Sequence, residues 1–189
     1  MSTGTMVLLA LLILLAALFL FGAAAYNSLV SLRNGIRNAW SQIDVQLKRR
    51  HDLVPNLVEA VKGYAAHEKG TLDAVTQARS KAAGARSLAD ISKAETELTG
   101  VLGRFMAVME SYPELKADGS FLALQEELAS TENRISFARQ AYNDQVLFLN
   151  NKVQMFPSNI VAGMFAFRRE GYFELEDKTQ RDPVKVNLG

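Results

Sequence analysis

Residues 6–25 read MVLLALLILLAALFLFGAAA, an apolar run that contains no charged side chain. As a helix rising 1.5 Å per residue, such a run extends about 30 Å, the thickness of the hydrocarbon core of a bilayer. All 21 Lys and Arg and all 20 Asp and Glu of the chain follow it. The sequence therefore predicts a short tail at 1–5, a transmembrane helix at 6–25 and one water-soluble part after it.

This run is either a retained anchor or a cleaved secretory signal. Ala23-Ala24-Ala25 is compatible with a cleavage site, but no Lys or Arg precedes the run, and its length exceeds the apolar core of about 7–15 residues typical of a signal. These features favour a retained single-pass anchor. Basic residues cluster after it, from Arg33 to Arg50, so the positive-inside rule predicts the N-terminus outside the cell (inner) membrane and the C-terminal domain in the cytoplasm.

The chain after the anchor has the apolar spacing of helices. Apolar residues recur every three or four positions from Leu29 to Val61, and no turn signal separates this stripe from the anchor. Pro55 is expected to kink this first helix or to break it into two antiparallel pieces. A second helix is predicted at His67–Ala83. A third, capped by Ser87 and Asp90 or by Ser92 and Glu95, would end before Pro113.

The fourth helix has the clearest pattern. Leu128, Ile135 and Tyr142 belong to a seam that alternates steps of three and four, as in a coiled coil, with a stutter before Val146. It ends at Pro157, after about 54 Å. The predicted fold is all-α: an antiparallel up-and-down four-helix bundle of long helices over 26–167, its first helix continuous with the transmembrane helix, followed by a polar tail at 168–189.

No motif in the sequence supports catalysis. The chain has no cysteine and two histidines, neither with a metal ligand at helical spacing, so we expect no metal, no cofactor and no enzymatic activity. The net charge of +1 argues against nucleic acid as a partner. Lys48-Arg49-Arg50 is either a patch for lipid or a partner or, as we favour, a solvated helix face.

Polar residues also lie beside or within the helical seams. They either fix the register of the helices or form a strip that faces a partner, and the pattern leaves both possibilities open. These candidates are Gln42, Asp44, Gln46, Asn56, Glu59, Glu132, Asn133, Arg139 and Asn143.

An apolar segment, Ile160–Phe167, follows Pro157 and is too short to cross a bilayer. If four helices alternate in direction, this segment returns to the membrane-proximal side. It either caps the bundle or contacts lipid or a neighbouring protomer, with two arginines at headgroup level. The candidate contact residues are Ile160, Met164, Phe165, Phe167, Arg168 and Arg169.

Several ordered blocks of this chain resemble the LemA family of bacterial membrane proteins. They occur between Tyr26 and about Phe167 and include AWSQIDVQLKRR at 39–50, DLVPNLV at 52–58, YPELK at 112–116, LQEEL at 124–128, TENRI at 131–135, ARQAYN at 138–143 and FPSN at 156–159. The resemblance implies an N-terminal membrane helix that carries a four-helix bundle, and it transfers no catalytic residue. A related protein of magnetotactic bacteria acts in building membrane compartments, which favours a role in membrane organisation.

Two functions follow as hypotheses. The first is a non-enzymatic scaffold anchored in the lipid bilayer, which forms homo-oligomers and takes part in membrane organisation or in protein assembly at the membrane. The second is an adaptor or sensory bundle that binds another membrane protein. Only one apolar run of spanning length occurs, whereas a conventional transmembrane sensor has two spanning helices.

Overall fold

The computed structural model describes residues 2–65 and 67–174 of the 189-residue chain and contains no strand among them. The predicted all-α class is therefore confirmed for these residues. The elements in chain order are α1 (Thr3–Val61), α2 (Lys69–Gly84), α3 (Leu88–Met109), a 3-10 helix (Leu115–Ala117), α4 (Gly119–Gln154) and α5 (Ser158–Met164).

Helix α1 is 59 residues long and joins the apolar run to the rest of the chain without interruption. It also passes through Pro55, although proline cannot donate a hydrogen bond to the preceding turn. Val54, Leu57 and Val58 around this proline are buried, and their burial compensates for the missing bond. The alternative in which Pro55 breaks the first helix into two antiparallel pieces is therefore wrong.

Local hydrogen bonds explain where α3 and α4 begin. Ser87 Oγ accepts a hydrogen bond from the Asp90 backbone N–H at 3.1 Å, so the Ser87 alternative for the cap is right and the Ser92 alternative is wrong. The Asp118 carboxylate accepts hydrogen bonds from the N–H groups of Phe121 and Ser120, at 3.1 and 2.8 Å, and these bonds lower its pKa.

The described residues divide into two compact units. The first unit joins the chain up to Ser41 with Gln140–Tyr172, and the second joins Gln42–Arg139 with Phe173 and Glu174. Residues 175–189, which include most of the predicted polar tail, lie outside the described part. The antiparallel up-and-down order of the helices remains a prediction.

The second unit contains one apolar core to which α1, α2, α3 and α4 all contribute. Helices α2 and α3 pack against each other, and Val75, Leu98 and Phe105 are fully buried between the elements. Leu128 and Ile135, both on the predicted seam of α4, are buried as well.

In the first unit, residues of α1, α4 and α5 pack together. Leu29 and Ile36 of α1 and Val146 and Leu149 of α4 are buried, and the rings of Trp40 and Tyr142 meet edge to face with their centroids 5.7 Å apart. The segment after Pro157 and the apolar run thus belong to the same compact unit.

Candidate functional site

The apolar run of α1 is exposed at every position from Met6 to Phe21, and Ala25 at its end is buried. By length and composition, α1 is the one helix among the described residues that is able to cross a membrane, and the stretch that qualifies has no buried residue. An unpaired apolar helix of this length in water would expose far more apolar area than soluble proteins tolerate. The first unit therefore carries a large surface that requires an apolar environment.

The short helix α5 lies beside the end of this run. The ring of Tyr26, one residue beyond the run, is 4.6 Å from the ring of Phe165 and 5.9 Å from that of Phe167, measured between centroids. The Arg33 guanidinium lies over the Phe167 ring at 5.0 Å, a cation–π geometry. Aromatic residues followed by arginines are typical of the region where a membrane protein passes through the interface.

Helix α5 divides its apolar residues between two environments. Val161 and Ala162 are buried within the unit, as the capping interpretation requires. In contrast, Ile160 is 55% exposed, Met164 is 75% exposed and Phe165 is 55% exposed. Arg168 and Arg169 are exposed as well, and Phe167 is half-buried. The segment thus caps the unit with one side and presents an apolar surface with the other.

An apolar cleft of about 720 Å³ lies between the end of the run and α5. One wall comes from α1, between Leu18 and Tyr26, and the other comes from Phe156–Phe165. Every residue that lines it is apolar except Tyr26, so the Tyr26 hydroxyl is the one polar side-chain group in the lining of this cleft. Volumes of about 300–1,000 Å³ are typical of sites for small organic ligands.

The chain after α5 is held by hydrogen bonds that the sequence analysis missed. Asn150 on α4 is buried; its side chain accepts a hydrogen bond from the Glu170 N–H at 2.9 Å and donates one to the Glu170 carbonyl at 3.0 Å. The Tyr142 hydroxyl donates to the Gly171 carbonyl at 3.0 Å, and burial together with the charge of Glu170 raises its pKa. These contacts fix residues 170–171 on α4, and with them the adjacent arginines.

The second unit contains a buried cluster of charges centred on Arg50. This side chain is 1% exposed and donates to the carboxylates of Glu95 and Glu132, and to the Thr99 hydroxyl at 3.0 Å. The His51 ring nitrogen Nε2 lies 2.7 Å from Glu95 Oε1. The expectation that Lys48-Arg49-Arg50 forms a solvated face is thus wrong for Arg50, because neighbouring carboxylates compensate for its burial.

The same cluster shifts the pKa values of its members. Burial alone would raise the pKa of Glu95, but the hydrogen bond to His51 and the charge of Arg50 outweigh it, so the pKa is lowered. Burial lowers the pKa of Arg139, and the negative charge of Glu132 partly offsets this lowering. Within the described residues, the buried Nε atoms of Arg50 and Arg139 have no hydrogen-bond partner. An arrangement with two carboxylates and two arginines is typical of a structural ion network.

The predicted polar strip does not form one surface. Glu132 and Arg139 belong to the charge cluster around Arg50, and both are half-buried, as are Gln46 and Asn143. The exposed members are Gln42, Asp44, Asn56, Glu59 and Asn133. Over residues 2–65 and 67–174, no group of three or more His, Cys, Asp or Glu side chains is arranged to hold a metal ion.

Most of the sequence matches a known family. The model of the LemA family matches residues 39–188. Protein LemA of Metamycoplasma hominis is 30% identical over 141 residues, which cover 72% of this chain and 63% of that protein. This match and the resemblance noted from the sequence blocks agree.

Magnetosome proteins of two magnetotactic bacteria are also similar. Magnetosome protein MamQ 2 of Paramagnetospirillum magneticum is 25% identical over 175 residues, covering 79% of this chain and 64% of that protein. Magnetosome protein MamQ of Magnetospirillum gryphiswaldense is 23% identical over 174 residues, which cover 78% of this chain and 64% of that protein. The chain thus spans a little under two-thirds of the length of these relatives.

Proposed function

This chain belongs to the LemA family, and we propose that it is a membrane-anchored helical scaffold that acts without catalysis. In this proposal, the apolar run of α1 spans the bilayer once and the helical part assembles with other copies at the membrane surface. The similarity to proteins named for the magnetosome supports a role in organising membranes or in assembling proteins on them.

The observation that carries the proposal is the exposure of the apolar run over Met6–Phe21. No side chain from Met6 to Phe21 is buried by the rest of the described chain, so no soluble core accounts for the composition of this stretch. Burying about twenty apolar side chains in lipid is strongly favourable, and the backbone of a continuous helix is already satisfied by its own hydrogen bonds. The uninterrupted continuation of α1 then connects the bilayer directly to the helical core.

The distribution of charge supports one orientation. The first charged residue after the run is Arg33, followed by Arg37, and no acidic residue precedes Asp44. By the positive-inside rule, this arrangement supports the proposal that the N-terminus lies outside and the helical part in the cytoplasm. Single cysteines can test this directly, because the natural chain contains none.

The topology experiment labels intact cells with a maleimide that does not cross membranes. Ser2→Cys is expected to react from outside, and Glu126→Cys, an exposed position on α4, only after permeabilisation. The opposite result reverses the orientation. Extraction of both proteins by alkaline carbonate would contradict anchoring itself.

Self-association is tested by the mass of the detergent-solubilised protein. We expect a defined multiple of the 20.8 kDa chain by light scattering. A monomer that is stable only together with a co-purified membrane protein would instead support the adaptor hypothesis. Thus the two functions predict different masses in the same measurement.

A further inference from the structure

We propose that the apolar cleft between α1 and α5 holds an acyl chain of an anionic phospholipid, whose phosphate is bound by Arg168 and Arg169. This inference rests on the proposed anchoring in a bilayer and adds a specific lipid partner to it. The occupant follows from three features of the first unit: the continuity of the cleft with the spanning run, the order of residue types along it, and an excess of positive charge.

The cleft opens on the surface that the proposed function places in lipid. Leu18, Phe19 and Phe21 form part of its wall and belong to the run itself. Ile160 and Met164 of α5 form the opposite wall and are mostly exposed. An acyl chain therefore reaches the cleft from the bilayer without crossing water. A water-soluble apolar ligand, in contrast, would have to pass from water into the bilayer to reach the cleft.

The residue types follow the layers of a bilayer. Apolar side chains line the cleft, the Tyr26 and Phe165 rings lie at the ends of its two walls, and Arg33 lies over the neighbouring Phe167 ring. Arg168 and Arg169 immediately follow Phe167 and are exposed. Aromatic rings at the interface and arginines at the phosphates are the usual arrangement in membrane proteins.

The charge of the first unit complements an anionic headgroup. Its two stretches, 1–41 and 140–172, contain five basic residues and only two acidic ones, Asp144 and Glu170. The remainder of the chain contains 16 basic and 18 acidic residues. The positive charge is thus concentrated in the unit that carries the cleft, although the whole chain is almost neutral. Among the described residues, neither Arg168 nor Arg169 forms a salt bridge with a carboxylate of the protein.

The test measures which lipids remain bound to the 189-residue chain. The protein is reconstituted in nanodiscs of equal parts phosphatidylcholine and phosphatidylglycerol, released into mild detergent, and analysed by native mass spectrometry. The wild type is expected to retain phosphatidylglycerol in preference to phosphatidylcholine. In Arg168→Gln/Arg169→Gln, the preference should fall on the order of fivefold for each arginine removed. Arg104→Gln/Lys116→Gln, an equal charge change at exposed positions of the second unit, should retain the preference.

A second pair of variants tests the cleft. Gly22 lines it, and a Cβ atom there would meet no other atom within 4 Å, so Gly22→Phe is expected to fill the space without disturbing the fold. It should reduce the number of retained lipids, whereas Ala16→Phe, on the run but outside the cleft, should not.

Equal retention of both lipids by the wild type would overturn the proposal, as would an unchanged preference in the arginine variant. A change of oligomer size in Gly22→Phe, with lipid retention unchanged, would identify a second copy as the occupant and would also overturn it. Failure of the wild type to enter nanodiscs would instead contradict anchoring, and so the two failures are distinguishable.

Discussion

Replacing Arg50 by Met is expected to destabilise the second unit by about 3–5 kcal/mol, because the variant leaves a buried carboxylate without its main cation. Glu95 is 3% exposed and would keep only His51 as a side-chain partner. Met fills a similar volume, so the loss comes from charge rather than from a cavity. For a domain of this size, about 1 kcal/mol corresponds to about 2–4 °C in Tm, which predicts a decrease of about 6–20 °C.

The assay is thermal unfolding of the full chain in detergent micelles, followed by circular dichroism at 222 nm. Arg49→Met is the matched control, since Arg49 pairs with Glu127 at the surface and both side chains are more than a third exposed. Such a pair contributes about 1 kcal/mol or less. Arg50→Met/Glu95→Gln removes both charges and should be more stable than Arg50→Met alone. Equal small shifts for Arg49→Met and Arg50→Met would refute the reasoning.

The effect of pH provides an independent check. The pKa of Glu95 is lower in the folded protein than its ordinary value, so its ionised form contributes stability at neutral pH, which is lost as the pH falls through the lowered value. Without Arg50, the effect of burial is less fully offset, so the pKa of Glu95 is higher in the variant than in the wild type. The difference in stability between wild type and Arg50→Met should therefore be smaller near pH 3 than near pH 7. A constant difference would show that the charge of Glu95 is not involved.

Three further changes test other parts of the structure in the same unfolding assay. Leu128→Ala should lower the free energy of unfolding by about 2–5 kcal/mol because it opens a cavity in the core. Glu126→Ala, at an exposed position, should change it by about 0.5 kcal/mol or less. Similar shifts in Tm for the two variants would mean that the seam is misassigned. Tyr142→Phe should cost about 0.5–1.5 kcal/mol, since it removes the bond to the Gly171 carbonyl, and an unchanged Tm would show that this bond does not hold the chain after α5. Ser87→Ala should cost about 0.5–2 kcal/mol through the lost cap of α3, while Ser87→Gly should cost only a few tenths; equal losses would argue against capping.

The helices and the apolar run could be predicted from the sequence because their causes are local. A spacing of three and four sets the buried positions Leu128 and Ile135, and an unbroken apolar run is enough to identify a spanning stretch. The sequence left open whether the first helix continues through Pro55 with a kink or breaks there, since the outcome depends on how well the flanking residues pack in the core.

The buried cluster was missed for a similar reason. Arg50 stands in a basic triplet that has the composition of a solvated face, and only the tertiary structure brings Glu95 and Glu132 to it from α3 and α4. A clue was present in the helical spacing: Arg50 lies three residues after Leu47 and four before Val54, on the buried stripe of α1. Likewise, Phe173 in the predicted polar tail is buried, and no regular spacing of apolar residues in that tail predicts its burial.

The depth of α5 relative to the bilayer can be measured directly with nitroxide labels on single cysteines in nanodiscs. Met164→Cys and Phe137→Cys are suitable sites, because both side chains are largely exposed and the natural chain has no cysteine. Power saturation compares collisions with oxygen, which concentrates in lipid, and with a polar nickel chelate, which stays in water. If the anchor spans the membrane and α5 lies at its interface, the label at 164 collides more with oxygen and the label at 137 more with the chelate. Equal access of the chelate to both labels would contradict the proposed contact of this unit with the membrane.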